Sequence, residues 1–113
     1  MDGNIQLEKP LRFSKLLIEP ALKTAYLKGE DLKLTSAEFG LLLLFARNNG
    51  KVLSREYILH HTGKISGHSH ERSVDVLISK LRNKLKASEE EEYFIKTIYS
   101  IGYMFFTGKS HGF

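Results

Sequence analysis

Hydrophobic residues between Glu71 and Lys86 recur with the period of an α-helix. With a turn of about 100° per residue, four of them share one narrow stripe of the width that packs against a protein core. They are Val74, Ile78, Leu81 and Leu85. The stripe predicts a helix over residues 71–86 with one side on the core, and Asp75 and Leu77 at its edges are expected to be structural.

The opposite side of this helix is polar and basic. It presents Arg72, Ser73, Val76, Ser79, Lys80, Asn83 and Lys84. Arginine and lysine can bond guanine edges, serine can reach a base or a phosphate, and a valine methyl can lie against the methyl group of thymine. This composition fits a helix that reads the major groove of DNA. A core helix with a solvated, lysine-rich outer side would show the same pattern.

Short strand-like segments come first in the chain, separated by turn residues, and predict a small antiparallel sheet. They are residues 11–13, 16–19, 23–27 and 31–34. Thr35 to Glu38 then has the sequence of a capping box, and the apolar spacing after it predicts a first helix that ends near Gly50. This helix is expected to be central, because its apolar face is wide.

A shorter second helix is predicted after Ser54, its expected N-cap. It should turn Tyr57, Ile58 and Leu59 inward and stop near Gly63, before a loop over residues 64–70.

Residues 93–99 and 102–107 then predict two strands joined at Ser100-Ile101, an aromatic-rich hairpin. Two successive helices followed by a hairpin form the outline of a winged helix-turn-helix.

Composition limits the alternatives. The 113 residues, 42% of them hydrophobic, predict one globular domain over residues 1–113. The chain has no cysteine, which excludes disulfides and cysteine nucleophiles and fits a reducing compartment. No apolar run has the length of a membrane span, and the start MDGNIQLEKP lacks the apolar core of a signal peptide. A cytoplasmic location without membrane contact is therefore expected.

Positive charge is concentrated around the basic helix. Residues 51–88 contain eight Lys or Arg and three Asp or Glu, whereas residues 1–50 contain seven and six, and residues 89–113 contain two and four. This basic region could neutralise phosphates and release their counterions. A membrane-surface helix is also basic and amphipathic, but the stripe here is narrow and has neither Trp nor Phe.

In their order and spacing, these segments resemble the DNA-binding effector domains of OmpR/PhoB-type response regulators. The resemblance runs from about Leu11 to Phe106. It is carried by LRFSKLLIEP, AYLKGEDLKL, LTSAEF, GKVLSRE, RSVDVLISKLRNKL and IKTIYSIGYMF. It implies an α+β winged helix-turn-helix with an N-terminal four-stranded antiparallel sheet (11–34), a three-helix core (35–88) and a C-terminal β-hairpin wing (93–107). The third helix would enter the major groove, with the wing near the minor groove.

The resemblance also implies individual roles. The residues expected to face the bases are Arg72, Ser73, Val76 and Lys80. Those expected to contact phosphate, from the flank of the helix or from the wing, are Arg82, Lys84, Thr97, Tyr99 and Tyr103. Gly102 is expected to shape the wing.

Three departures from the family pattern stand out. Tyr99 and Ser100 occupy the wing positions that usually carry Arg followed by Gly, so a minor-groove arginine is missing. The second helix ends in Thr62-Gly63 where Trp-Gly is usual. The loop that follows is slightly long. In relatives it can touch RNA polymerase or its sigma factor, which makes residues 62–70 the candidate polymerase contact.

Four histidines lie within eleven residues: His60, His61, His68 and His70. Neutral imidazoles could bind zinc, copper or nickel, but no cysteine supports them and their spacing matches no closed structural zinc pattern. Phosphate contact or plain exposure is favoured, and no metal or cofactor is predicted. Neither a nucleophile elbow nor a phosphate-binding loop is present, so no enzyme is expected.

The residues thus favour a transcription regulator that binds double-stranded DNA, as a homodimer on tandem or inverted half-sites. The resemblance implies the output domain of a two-component system. Because 113 residues leave no room for a receiver, the chain is expected to be either the C-terminal half of a longer regulator, which its ending soon after the wing favours, or a stand-alone regulator. Two alternatives stay open: a protein-interaction module with the same fold that binds a regulator or a polymerase subunit, and a metal-responsive regulator that uses the histidines.

Overall fold

The computed structural model describes residues 8–66, 71–85 and 93–107. Within these ranges it contains seven strands and three helices. In chain order they are β1 (Leu11–Phe13), β2 (Leu16–Glu19), β3 (Thr24–Leu27), β4 (Glu30–Asp31), α1 (Ser36–Arg47), β5 (Val52–Leu53), α2 (Arg55–Ser66), α3 (Glu71–Leu85), β6 (Tyr93–Ile98) and β7 (Gly102–Thr107).

The first four strands form the predicted antiparallel sheet, in the order β1-β2-β3-β4. Alternate residues of its central strands point to the core, and the register places Leu16 opposite Leu27 and Ile18 opposite Ala25. The fourth strand was predicted too late, at 31–34. The Asp31 carboxylate accepts a hydrogen bond from the Lys33 N–H at 2.7 Å and Lys33 has a φ of 53°, a turn that ends the strand.

Helix α1 begins with the predicted capping box. The Thr35 hydroxyl accepts from the Glu38 N–H at 3.2 Å, and the Glu38 carboxylate accepts from the Thr35 N–H at 2.9 Å. Both bonds satisfy N–H groups that the first turn of a helix leaves without partners. The helix buries Phe39, Leu42 and Phe45 and packs against α2, α3 and β7, so it is central, as expected.

Helix α2 differs from its prediction in two ways. It continues to Ser66 instead of stopping near Gly63, so the first three residues of the predicted 64–70 loop are helical, and residues 67–70 lie outside the described residues. Tyr57 is exposed, which corrects its inward placement. The buried side of α2 is centred on Ile58 and Thr62, one turn apart, and the Thr62 hydroxyl donates to the Ile58 carbonyl at 2.7 Å.

The wing is a three-stranded sheet in the order β5-β7-β6, and its third strand, β5, was not predicted. The hairpin turn spans residues 99–101, so Tyr99 lies in the turn and not in β6. Gly102 lies where β7 crosses β5, and a Cβ there would be 2.0 Å from the Leu53 carbonyl oxygen. Only glycine fits this approach, which agrees with the expected role of Gly102 in shaping the wing.

The core lies between the N-terminal sheet, the three helices and the inner face of the wing. Its largest fully buried side chains are Phe45, Phe105, Leu16, Ile18, Leu41, Leu42, Ile58, Ile78 and Leu81. Phe105 joins the wing to the rest, because its ring packs 5.9 Å from that of Phe13 and 6.4 Å from that of Phe45, between ring centroids. The architecture is the predicted winged helix-turn-helix.

Candidate nucleic-acid interface

Helix α3 lies on the core through the predicted stripe. Val74, Ile78, Leu81 and Leu85 are all buried, and Leu77 packs at the edge as a partly buried residue. This buried side sets the rotation of the helix, and therefore which residues face outward.

The outward side of α3 is basic and open to solvent. Its exposed residues are Arg72, Val76, Ser79, Lys80 and Asn83, and Ser73 is half-buried beside them. Val76 is 51% exposed, unusual for a valine on a helix whose other apolar residues pack inward. The structure thus brings the four residues predicted to face bases onto one side of one helix.

Lys84 lies at the edge of this surface and is turned toward the protein. Its ammonium group donates to the Glu38 carboxylate at 2.6 Å and to the Lys33 carbonyl at 2.9 Å. Glu38 is only 3% exposed. A buried carboxylate needs a cationic or hydrogen-bonded partner, so Lys84 stabilises the start of α1. Its charge is committed within the molecule, which differs from the phosphate contact expected of it.

The pKa of Glu38 reflects this pairing. Burial by itself raises the pKa, but the hydrogen bonds from Lys84 and from the Thr35 backbone favour the charged form and outweigh burial. The pKa therefore lies below the ordinary value of 4.5. The ion pair is present at neutral pH.

Asp75, on the other edge of α3, joins three elements. Arg55 of α2 donates to both carboxylate oxygens, at 3.0 and 2.9 Å, and the Tyr103 hydroxyl of β7 donates at 2.6 Å. Partial burial raises the pKa of Asp75, yet these hydrogen bonds lower it further, so the net shift is downward from 3.8. Burial and the same carboxylate raise the pKa of Tyr103. Asp75 is structural, as predicted.

Arg82 fastens the wing to α3. Its guanidinium group donates to the Ile95 carbonyl at 3.0 Å and to the Thr97 hydroxyl at 2.7 Å, and it lies 5.4 Å from the centroid of the Tyr103 ring. Tyr103 itself is buried, with its hydroxyl hydrogen used by Asp75. The structure thus brings together three of the residues expected to contact phosphate. Arg82, Thr97 and Tyr103 lie where α3 contacts the wing.

Sequence reasoning missed Arg55 and Glu38 as part of this region. Both act through partners 20 and 46 residues away, and no local pattern marks such pairs.

For the exposed end of the wing, the sequence indicated only that Tyr99 and Ser100 replace the expected Arg and Gly. Tyr99 is 86% exposed and Ile101 is 59% exposed, and together with the start of α2 the turn lines a groove of about 420 Å³.

The histidine cluster is described in part. The His61 Nδ1 atom lies 2.9 Å from the Tyr57 carbonyl, so Nδ1 carries the hydrogen. The His60 and His61 rings are nearly perpendicular, with centroids 5.3 Å apart. His68 and His70 lie outside the described residues. Among residues 8–66, 71–85 and 93–107, no three His, Cys, Asp or Glu side chains are grouped to hold a metal ion.

The fold and the exposed basic helix define a winged helix-turn-helix of the kind found in transcription regulators. The chain belongs to the family described as transcriptional regulatory protein, C terminal, whose sequence model matches residues 29–105. This confirms the resemblance to OmpR/PhoB-type effector domains.

Two curated relatives illustrate the match. The chain is 37% identical over 97 residues to the transcriptional regulatory protein RstA of Escherichia coli K12, covering 86% of this chain and 41% of RstA. It is 37% identical over 100 residues to the alkaline phosphatase synthesis transcriptional regulatory protein PhoP of Bacillus subtilis, covering 88% and 42%. The chain therefore spans about two fifths of the length of these relatives.

Solved structures agree. The DNA-binding domain of CpxR from E. coli is 30% identical with a TM-score of 0.75, over 88% of this chain and 98% of that one. The RstA DNA-binding domain of Klebsiella pneumoniae, solved in complex with the RstA box, is 36% identical with a TM-score of 0.72, over 87% and 97%. No helix in the described part of this chain is both long and apolar enough to cross a bilayer.

Proposed function

We propose that this chain binds double-stranded DNA in a sequence-specific way and regulates transcription, as the output domain of a two-component response regulator. The observation that carries the proposal is the outward side of α3, which is basic and exposed while its opposite side is anchored in the core. A helix of this width and charge fits the major groove, which is about 12 Å wide. Membership of a family of transcriptional regulators supports it.

Base contacts are assigned to Arg72, Ser73, Val76 and Lys80. Arginine and lysine would donate to guanine, serine to a base or an adjacent phosphate, and Val76 would offer an apolar contact to a thymine methyl. Ser73 is half-buried, so it would act at the edge of the contact.

Phosphate contacts are assigned to the exposed Thr97, and to Arg82 through the part of its guanidinium group that the wing does not use. We leave Lys84 and Tyr103 out, because their polar groups bind Glu38 and Asp75.

Assembly and location complete the proposal. We propose that two copies bind tandem or inverted half-sites, that the protein acts in the cytoplasm, and that the C-terminal part of α2 with residues 67–70 contacts RNA polymerase. The RstA complex supports the DNA part, since a relative of the same fold binds a DNA box.

Fluorescence anisotropy with labelled duplexes tests the proposal. A duplex selected from a randomised pool should bind far more tightly than random DNA, with affinity that falls steeply as salt rises. The Arg72→Ala, Lys80→Ala double variant should lose about 100-fold in affinity for the selected duplex and most of its preference over random DNA.

A matched control removes the same charges elsewhere. The Lys9→Ala, Arg12→Ala double variant takes one lysine and one arginine from the exposed N-terminal end and should bind nearly as well as the parent chain. Equal losses in the two double variants would show a general effect of net charge and would overturn the assigned reading helix.

A further inference from the structure

Asn83 lies on the outward side of α3 and has no part in the contacts assigned so far. Its side chain is exposed. With a turn of about 100° per residue, Asn83 and Val76 each lie within about 10° of the direction opposite the buried stripe, whereas the half-buried Ser73 lies about 70° from it. Asn83 is therefore as central on the outward side as Val76.

The carboxamide of Asn83 has no structural task within the described part of the chain, where it makes no hydrogen bond. Asn48, which ends α1, shows the contrast, because its carboxamide donates to the Leu44 carbonyl at 2.8 Å. Asparagine is also one of the weaker helix formers, so helix propensity does not account for it at an exposed position. A contact with a partner does account for it.

The exposed residues of α3 have the spacing of a helix that reads bases. In homeodomains, a helix in the major groove reads bases through residues at positions i, i+3, i+4 and i+7. The exposed residues with this spacing are Val76, Ser79, Lys80 and Asn83. They span about two turns. A major groove that receives Val76 and Lys80 therefore also receives Asn83.

Asn83 adds a chemistry that the other outward residues lack. Arg72 and Lys80 only donate hydrogen bonds, which suits guanine, and Val76 is apolar. A carboxamide donates through Nδ2 and accepts through Oδ1, which matches N7 and the N6 amino group of adenine in the major groove. Asn83 is the only Asn or Gln in α3.

We propose that Asn83 is a further base-reading residue and that it binds an adenine, with Nδ2 donating to N7 and Oδ1 accepting from the N6 amino group. This inference rests on the proposed function and adds one base to the site. Val76 and Asn83 are seven residues apart. That separation is about 10 Å along the helix, or about three base steps of about 3.4 Å each. The adenine therefore lies about three base pairs from the thymine that Val76 contacts.

Adenine analogues in the selected duplex test this assignment. Replacing adenine by 7-deazaadenine exchanges N7 for a C–H group and keeps the base pair. Fluorescence anisotropy with this change at one adenine at a time should reveal one position where the parent chain loses about fivefold in affinity. Asn83→Ala should lose about tenfold on the unmodified duplex, because both hydrogen bonds are gone, and nothing further when that adenine is changed.

The thymine that Val76 contacts is located in the same way. Deoxyuridine lacks the methyl group of thymine, so the substitution that weakens the parent chain but not Val76→Ala marks this thymine. The marked thymine and the marked adenine should lie about three base pairs apart.

A matched control removes an asparagine elsewhere. Asn49→Ala takes an exposed asparagine from the turn after α1 and should bind every duplex like the parent chain. Urea unfolding should show Asn83→Ala to be at least as stable as the parent chain, because alanine is the better helix former. A loss of affinity in Asn83→Ala then reports a lost contact with DNA.

Each contrary result has its own meaning. If the parent chain binds no duplex, the proposed function fails and the adenine contact with it. If the parent chain binds the selected duplex tightly, but Asn83→Ala binds equally well and no adenine responds, the proposed function stands and the assignment of Asn83 is wrong. If Asn83→Ala weakens selected and random DNA by the same factor and no adenine responds, Asn83 contacts a phosphate and the assignment is again wrong.

Discussion

The two edges of α3 and its outward side carry charges of the same kinds but use them differently. At the edges, Lys84 binds Glu38, Asp75 binds Arg55, and Arg82 binds the wing. On the outward side, Arg72 and Lys80 are exposed. The edge charges bind within the protein, whereas the outward charges are open to solvent.

This difference teaches that residue type alone does not assign a role on a basic helix. Lys80 and Lys84 are one turn apart, and only the second has a buried carboxylate within reach. A charge that a helix needs for its own placement contributes little to binding, whereas a charge held in water can be transferred to a phosphate or a base at low cost.

The largest contrast is expected between two valines on opposite sides of α3. Val74→Ala removes two methyl groups from a site that is 2% exposed and should cost about 2 kcal/mol in the free energy of unfolding. Val76→Ala should change it by at most about 0.5 kcal/mol, since alanine is a good helix former and little burial is lost. Urea unfolding measures both. Similar losses in the two variants would show that α3 is rotated differently.

A lysine pair should separate stability from binding. Lys84→Met leaves the Glu38 carboxylate buried without its cation and should destabilise the protein by about 1 to 2 kcal/mol, with the DNA affinity of the folded protein almost unchanged. Lys80→Met should leave stability within about 0.5 kcal/mol and weaken DNA binding about tenfold. Urea unfolding and anisotropy on the same samples measure the two effects. A loss of affinity in Lys84→Met equal to that in Lys80→Met would restore Lys84 as a phosphate contact.

Lowering the pH should remove the stability that the carboxylates at the two edges of α3 provide, while the charges of Arg72 and Lys80 on its outward side stay unchanged. The pKa values of Glu38 and Asp75 lie below their ordinary values of 4.5 and 3.8, so both groups stabilise the fold at neutral pH. As pH falls below the ordinary values, the unfolded chain takes up protons first, and this stability is lost by the time pH has passed the lower folded pKa values.

Urea midpoints between pH 6 and about pH 2.5 measure this effect. The urea midpoint should change less steeply with pH in the Glu38→Gln variant, because glutamine does not titrate. An unchanged slope in that variant would show that the Glu38 and Lys84 pair does not contribute.

The smallest effect is expected at the turn of the wing. Ser100 has a φ of 67°, in the left-handed region that costs a residue with a Cβ about 1 kcal/mol. Ser100→Gly should therefore raise the free energy of unfolding by at most about 0.5 kcal/mol, because glycine also adds entropy to the unfolded chain. Differential scanning calorimetry measures the shift, and a lowered melting temperature would contradict this account.

Much of the fold was predictable because its signals are local. The α3 stripe follows from a spacing of three and four residues, and the α1 start follows from Thr35 and Glu38, which bond to each other across one turn. The strand β5 was not predictable in the same way. It is two residues long and exists because Val52 and Leu53 pair with β7, about 50 residues later.

The candidate site shows the same difference between features that follow from local sequence and features that depend on distant residues. Periodicity placed Arg72, Val76 and Lys80 on one side of a helix, and the structure agrees. It also placed Lys84 there, and that lysine turned inward because Glu38, brought close by the packing of α1, needs a cation. The length of α2 was underestimated because Gly63 was taken as a stop, whereas the helix passes through it.

The sequence by itself determined the order of the elements other than β5, the core side of α3 and the basic character of its other side, since each depends on residues within a few positions of one another. Only the tertiary structure decided which charges bind within the protein. Whether Lys84, Asp75, Arg82 and Tyr103 face DNA or bind within the protein depends on partners 13 to 51 residues away. Those partners compete with water and with any ligand for the same polar groups, and only packing brings them within hydrogen-bond distance.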